Sequence, residues 1–580
     1  MERFIHFPWY VFRGIRPGTR MYKEREVFGA DSETYKGAPY TIQIFGRNVV
    51  RIQRVSKRNI LDYFLGWIMG LPANSAVYVH NLSFDLPVFL FPLLRYLQSY
   101  SRFELDVDGV NLRILYGKVC HMDVSYKGRS WEIVDSFAFF KASIHNTAKK
   151  LGIEKGKLKK PRGLGNRKFI GKDWPSFAEY AMRDAELAYL IGLKIEAFHK
   201  DYDVVQTISA PQLAAKVFKR HYVKSEIPCP PYDVCRASIL SYHGGKSGLY
   251  VEPGIYRKVY LYDINSAYPY AFTKLPNFQG ATYHYGKYKP KEVGIWNVSG
   301  VSATDKYNLL RDHTFKPLVG LFEKIWVTSY ELQCALKHGW LPEFTIHEGY
   351  WIKPGRGSNP LAQYGRELYD KKLASGGSDV LREFYKILLN SLYGKFIQNI
   401  ANNDDDSTTI NLSSQGKGIW YQAGGLWNPL LASLITGYVR AMLTDMEVNY
   451  SVLHSSTDSI MTTKRIATFS DLGKLSLKSF GNVLLIRPKF YLLWSPQSHK
   501  LESLATHGYH GVIPQLIRML RKGGRVYKHK HMNKLRESLR TGRTPLVMEM
   551  LTKSINIPIK GRIQIPTLKW TDSNGKVHTI

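Results

Sequence analysis

Two short acidic strings bracket a basic, helix-like stretch of this chain. YDINSAYP carries Asp263, SSTDSI carries Asp458, and REFYKILLNSLYGKF between them repeats Lys386, Asn390 and Tyr393 at helical spacing. Carboxylates can hold divalent ions, and a cationic helix face beside them suits a triphosphate, so the order reads as a two-metal nucleotidyl-transfer centre.

A second acidic constellation lies upstream. In REVFGADSETYKG, Asp31 and Glu33 stand two apart after a β-type run, which puts both carboxylates on one face of a strand. Alone that spacing is common at strand ends. HNLSFDLPVF strengthens it, since it follows the apolar SAVYVH and reads as a turn closed by Asp85, with Asn81 and Phe84 placed to hold a base or sugar edge. SFAEYAMRDAELAYLIGLKIEAF then has helical period, with Tyr180 and Asp184 at i and i+4. A phenol one turn from a carboxylate can orient a metal-activated water.

The elements that must position these groups are legible. RKVYLYDINSAYPYAF reads as a buried strand ending at Asp263, with a turn closed by Pro269. SDVLREFYKILLNSLYGKF reads as a helix with Arg382, Lys386, Asn390 and Tyr393 on one face, Leu388, Leu389 and Leu392 on the other, and Gly394 ending it. LLASLITGYVRAML reads as another helix, and SVLHSSTDSIMTT as a hairpin with Thr457 and Asp458 in its turn. In SYHGGKSGLY, adjacent Gly244 and Gly245 let backbone come close to a ligand. The polar stretch from Asn402 to Gly425 reads as a hairpin or exposed insertion.

A chain of 580 residues is too long for one core and predicts two or more domains. Its formal charge of +34, interleaved with aromatics, fits a polyanion whose phosphates meet Lys and Arg and whose bases meet rings. Cys120, Cys229, Cys235 and Cys334 show no zinc-knuckle spacing and read as reduced packing thiols. The start, MERFIHFPWYVFRGIRPGTR, is a poor secretory signal and too short to span a membrane, while its arginines leave a mitochondrial address open.

In this order the motifs resemble those of family B DNA polymerases, most closely the protein-primed enzymes of phages and linear plasmids. The resemblance covers almost the whole chain. It implies an α/β and α+β multidomain fold: an RNase-H-like 3′–5′ exonuclease domain over 1–200, then a right-hand polymerase domain over 201–580. Within the latter it implies a palm near 230–290 and 428–495, a first terminal-protein-region insert near 275–355, fingers near 360–397, a second insert near 400–427 and a thumb near 500–580.

For the first domain the resemblance implies metal ligation by Asp31, Glu33, Asp85 and Asp184, a water positioned by Tyr180, and a catalytic lysine in LGIEKGKL that aligns best with Lys155, with Lys157 and Lys159 as alternatives. Primer-strand contacts would fall on Thr34, His80, Asn81, Phe84, Ser136 and Phe137. In the second domain, Asp263, the Ile264 carbonyl and Asp458 would hold ions. Arg382 and Lys386 would meet the triphosphate, with Lys386 able to protonate pyrophosphate, and Tyr268 would act as a steric gate against a 2′ hydroxyl. Asn390 and Tyr393 would border the nascent base pair; Tyr242, Gly244, Gly245, Thr436 and Arg440 would meet template; Lys489 and Tyr491 would hold the primer terminus.

The chain departs from the family at Ser456, where a second aspartate usually stands, and this implies weakened rather than abolished ion binding. The implied cofactor is a pair of Mg2+ ions at each site, with Mn2+ as the other ion the chemistry accepts. The implied partners are primer-template DNA, dNTPs and a terminal protein whose hydroxyl starts synthesis, for a monomeric, strand-displacing, soluble enzyme of a host cytoplasm with no membrane contact. Two other readings stand beside this one: a DNA-binding replication or repair exonuclease with an impaired polymerase centre, and a family B polymerase that starts only from nucleic-acid primers.

Overall fold

The computed structural model describes residues 5–6, 13–96, 102–117, 119–164, 173–312, 314–376, 379–398, 419–420, 424–532, 548–559, 561–571 and 577–580. In the N-terminal third, strands β1 (Val27–Tyr35), β2 (Ala38–Phe45), β3 (Val50–Arg54), β4 (Ala76–Val79), β5 (Arg102–Val107), β6 (Val110–Leu115), β7 (His121–Tyr126) and β8 (Arg129–Asp135) form one mixed sheet in the order β3-β2-β1-β4-β8-β7-β6-β5. β4 runs parallel to both its neighbours, β1 and β8. Its sequence, AVYV, is wholly buried, as a parallel strand covered on both faces requires. Helices α1 (Ile60–Met69) and α2 (Leu82–Phe89) pack on the face that carries Val77, Val79 and Ile133. The long α3 (Trp174–Asp201) packs on the opposite face, where Leu187 and Ile191 join Tyr78 and Val134. Gly29 permits that approach, because a Cβ there would lie 2.1 Å from the Ala185 carbonyl oxygen.

The remainder is built on a second, antiparallel sheet. β9 (Ser247–Leu249) and β10 (Gly254–Ile264) lead into α4 (Ala267–Phe272). The chain then leaves for a separate four-stranded sheet of β11 (Thr282–Gly286), β12 (Gly294–Ser302), β13 (Gly320–Thr328) and β14 (Glu343–Lys353), with α5 (Ser329–Lys337) before β14. Its strand order is β11-β14-β12-β13, and it has its own core around Trp296, Leu309, Leu332, Trp340 and Trp351. Helices α6 (Pro360–Ala374) and α7 (Asp379–Ser391) follow, then α8 (Pro429–Asn449), capped by Asn428, whose side chain accepts from the Leu431 N–H at 3.0 Å. β15 (His454–Ser456), β16 (Ser459–Thr462), β17 (Leu475–Arg487), β18 (Phe490–Trp494) and β19 (Leu501–Thr506) complete the order β9-β15-β16-β10-β17-β18-β19.

The two halves are not joined by a loose linker. Phe198 of α3 stacks on Phe384 of α7 with centroids 3.8 Å apart and planes 10° apart, and Lys150 reaches Glu383 at 2.8 Å. Residues of both sheets and of α3, α7 and α8 share one apolar core.

Two local expectations need correction. Asp85 does not close a turn: Asn81 takes a left-handed conformation with φ of 72°, which redirects the chain into α2, and Asp85 lies inside that helix. Gly394 does not cap α7, which ends at Ser391; the glycine sits inside a 3₁₀ turn over Tyr393–Ile397. Of the stretch Asn402 to Gly425, all but residues 419–420 and 424–425 lies outside the described residues, and Ile419–Trp420 pairs in parallel with Ile5–His6. The basic tail is described as far as Met532, through a helix at Ile513–Arg521 and a strand at Val526–Met532 paired with Met548–Ser554. Its residues 533–543 lie outside the described residues. Among the described residues no helix is long and apolar enough to cross a membrane.

Candidate active sites

The first site forms where β1, α2 and α3 meet. Asp31 and Glu33 leave the same face of β1, Asp184 comes from α3, and their carboxylate oxygens lie within 4.8 Å of one another. Asp85 enters from α2 and accepts from both the N–H and the hydroxyl of Ser32, at 3.0 and 2.6 Å. Tyr180, one turn before Asp184, hydrogen-bonds Glu33. Four carboxylates in so little solvent resist ionisation. Burial, and then repulsion from Asp85, Asp184 and Glu33, raise Asp31 well above its ordinary value; burial pushes Glu33 up to about 7 and Asp85 up to about 8, the latter against the Ser32 hydrogen bonds.

Such a cluster is stabilised by a cation. One Asp184 oxygen is buried without a hydrogen-bond partner, and the other takes Lys157 Nζ at 2.6 Å. The donor set is all oxygen, which suits a hard divalent ion. Lys155, the best-aligned candidate for the catalytic lysine, instead pairs with Glu186 at 2.5 Å, outside the cluster. Of these two lysines, Lys157, one of the two alternatives, is the one that touches a cluster carboxylate.

Around this site Thr34, Asn81, Phe84 and Phe137 are open to solvent in part or in full. The direct-contact expectation for His80 and Ser136 is corrected. Both ring nitrogens of His80 are used inside the protein, on the Ser136 hydroxyl at 2.9 Å and the Ala142 carbonyl at 2.8 Å, and burial lowers its pKa to about 4. Ser136 is fully buried. With the ring neutral, Nε2–H donates to Ala142 and Nδ1 accepts the one Ser136 hydroxyl proton, so the pair is satisfied inside the protein.

The second site lies on adjacent strands of the antiparallel sheet. Asp263 at the end of β10 pairs with Ser459 of β16, and the Ile264 N–H donates to the Asp458 carbonyl at 2.7 Å, which brings the turn of the β15-β16 hairpin beside the strand end. Burial and then repulsion from Asp263 raise the pKa of Asp458. Thr457 in that turn is β-branched yet has φ of +60°, a strained conformation that the surroundings must hold. Its N–H donates to the Lys246 carbonyl at 2.7 Å, and Gly245 packs so closely that a Cβ there would come within 2.8 Å of Thr457 Cγ2. Behind it, Lys246 and Glu447 form a buried ion pair. Glu447 also accepts from Tyr250 at 2.7 Å and Ser455 at 2.6 Å, which ties α8 to β15.

Tyr268 stacks on Tyr393 with centroids 3.9 Å apart and planes 4° apart, so two residues far apart in sequence share one wall. Arg382, Lys386 and Asn390 are exposed along α7, with Leu388, Leu389 and Leu392 buried beneath. Tyr242 is buried and Gly244 faces open space. Lys489 adopts φ of 58° and donates its N–H to His454 at 3.2 Å, while Tyr491 meets the Ser503 hydroxyl at 3.2 Å.

The template expectation is corrected for Thr436 and Arg440. Both are buried in α8; the Thr436 hydroxyl donates back to the carbonyls of Ala432 and Ser433 at 3.2 Å, and Arg440 holds Glu331 and the Leu309 carbonyl, each at 2.6 Å. Arg440 thereby ties α8 to α5 and to the loop at Leu309. Sequence reasoning missed Lys478, whose Nζ lies 2.8 Å from Asp263. LSLKSF gives no sign of it. A third group, Cys334, His338 and Asp445, also gathers ligand atoms within 4.8 Å, but Lys337 already sits 3.0 Å from the same Asp445 oxygen.

Residues 175–417 match the family described as DNA polymerase type B, organellar and viral. Similar curated proteins include a DNA polymerase of Acidianus bottle-shaped virus (isolate Italy/Pozzuoli), 25% identical over 276 residues, 44% of this chain and 39% of the relative. Another is the primer-independent DNA polymerase PolB of Escherichia coli, 24% identical over 447 residues, 65% of this chain and 48% of the relative. The chain thus spans less than half the length of these curated relatives. Among solved structures, Phi29 DNA polymerase complexed with primer-template DNA matches with a TM-score of 0.68 at 16% identity, over 92% of this chain and all of that one. That likeness shows a shared fold.

Proposed function

We propose that this chain, whose residues 175–417 match the family described as DNA polymerase type B, organellar and viral, is a DNA-directed DNA polymerase with a 3′–5′ exonuclease. The observation that carries the proposal is the convergence of Asp263 and Asp458 on adjacent strand ends, beside the stacked Tyr268 and Tyr393. Divalent ions, Mg2+ in the ordinary chemistry of such centres, would be held by Asp263, Asp458 and the Ile264 carbonyl for synthesis and by Asp31, Glu33, Asp85 and Asp184 for hydrolysis, supplying Lewis acidity to the attacking and leaving oxygens. Arg382 and Lys386 meet the triphosphate charge. The Tyr268 ring, pinned by Tyr393, closes the space a 2′ hydroxyl would need. In the exonuclease centre Tyr180 and Lys157 orient the attacking water and balance the carboxylates. Thr34, Asn81, Phe84 and Phe137 receive the unpaired primer end, and Lys489 and Tyr491 hold it for synthesis.

We further propose initiation on a hydroxyl of a terminal protein. The separate sheet of β11–β14 supports this, since its strands fall within the stretch of chain expected for the first insert.

Primer extension with dNTPs and a divalent ion tests the main reading. Asp458→Asn is expected to stop extension while primer shortening continues, and Asp184→Asn is expected to do the reverse. A wild-type chain that only shortens primers would instead favour the exonuclease reading, for which the missing carboxylate at Ser456 is the motive. Labelled dNTP fixed covalently to a separate protein supports protein priming; label found solely in extended oligonucleotides or in unprimed free DNA overturns it.

A further inference from the structure

At the end of β10 that carries Asp263, β17 has one residue more than the strand it pairs with. Leu261 faces Ser479 and Tyr262 faces Leu477, which leaves Lys478 as the extra residue of a bulge. Bulges bend a strand and re-aim a side chain, and they recur beside active sites. Here the re-aimed side chain is a lysine, with Nζ 2.8 Å from Asp263 Oδ2 and about half of the side chain exposed. Its charge also acts on Asp458, and the Tyr491 phenol is close enough to act on it in return. Lys478 therefore stands among both carboxylates of the second centre and the tyrosine expected at the primer terminus.

Ser456 changes the charge of the same place in the same direction. It sits two residues before Asp458, in register with Ser247 and Ser459, and supplies a hydroxyl and no charge. Two carboxylates face Lys478 and, from the next hairpin, Lys489, so little net negative charge is left at this centre to attract an ion. A lysine that merely covered apolar surface would need neither the bulge nor the contact with Asp263.

We propose that Lys478 is a positioning residue that serves as a built-in counter-charge. It holds Asp263 when no ion is bound and competes with a divalent ion for that carboxylate, so the centre fills chiefly when a nucleoside triphosphate brings its own ion. This rests on reading Asp263 and Asp458 as ion ligands.

Mn2+ binding to the full-length chain, read from the paramagnetic resonance signal of the free ion without DNA or nucleotide, tests it. Asp31→Ala and Asp184→Ala are placed in every sample so that the first cluster does not contribute, and thermal melting checks that each variant is folded. Lys478→Met is expected to bind Mn2+ roughly three- to tenfold more tightly, the size of one partly screened ion pair, and Lys478→Arg to stay within about twofold of the parent. With the triphosphate present the gain should shrink. Unchanged Mn2+ affinity in Lys478→Met overturns the role of Lys478. If Asp263→Asn and Asp458→Asn, placed in the Lys478→Met background, leave Mn2+ binding as it was, the centre itself is misread and the polymerase proposal fails with it.

Discussion

Asp85→Asn should make the ion-free protein more stable near neutral pH, although it removes a buried residue of a candidate centre. Asp85 is 2% exposed, and its carboxyl is pushed from 3.8 up to about 8 by burial, with Glu33 and Asp135 adding repulsion. The native state then keeps a proton that the unfolded chain releases near pH 4. Stability from this group is complete below that value and is lost as pH rises toward about 8. Each unit is worth about 1.4 kcal/mol, so roughly three units by pH 7 amount to about 4 kcal/mol, lowered to about 2–4 kcal/mol by side-chain relaxation and entry of water. Asparagine keeps an oxygen to accept from Ser32 and carries no charge. Because the two halves share one apolar core, the difference is spread over the whole chain and corresponds to a rise in melting temperature of about 2–4 °C. The assay is thermal unfolding with a chelator at several values between about pH 5 and pH 8, repeated with excess Mg2+. The gap between variant and parent should widen with pH and close when Mg2+ is added, because the ion stabilises the intact cluster. A variant no more stable than the parent at about pH 8, or a gap that ignores pH, refutes the reasoning.

Lys157→Met should slow primer shortening by roughly 10–100-fold while Lys155→Met stays near the parent, since Lys157 alone of the two touches a cluster carboxylate. Lys246→Met leaves Glu447 buried without its cation and should lower stability by about 3–5 kcal/mol in denaturant titration, with much of the loss recovered when Glu447→Leu is added. Tyr268→Val removes the ring stacked on Tyr393 and should raise ribonucleotide use relative to deoxynucleotide use by about 10–100-fold in single-turnover incorporation.

Local chemistry was enough to find the strands and helices that bear both centres. The apolar run before Asp31, the period of the helix with Tyr180 and Asp184, and the hairpin around Thr457 and Asp458 follow from spacing, because a side chain's face is fixed by its position in a regular element. The choice among three lysines could not be made that way. Lys155 and Lys157 lie two apart in an irregular segment, and Asp184 on α3 selects one of them through a contact 27 residues away. Thr436 and Arg440 matched a motif and are nonetheless buried: Arg440 is held by Glu331 and Leu309, and the Thr436 hydroxyl turns back onto its own helix.

The sequence by itself determined the carboxylates, their order, the cationic face of α7 and a surplus of positive charge suited to a polyanion. Those depend on residue type and short-range periodicity. Only the tertiary structure decided what surrounds them: the shared core that joins the two halves, the strained turn held by Lys246 and Gly245, and the bulge that turns Lys478 onto Asp263. Each depends on strand register or on packing between segments distant in the chain, and a one-residue change of register moves a side chain to the other face of a sheet.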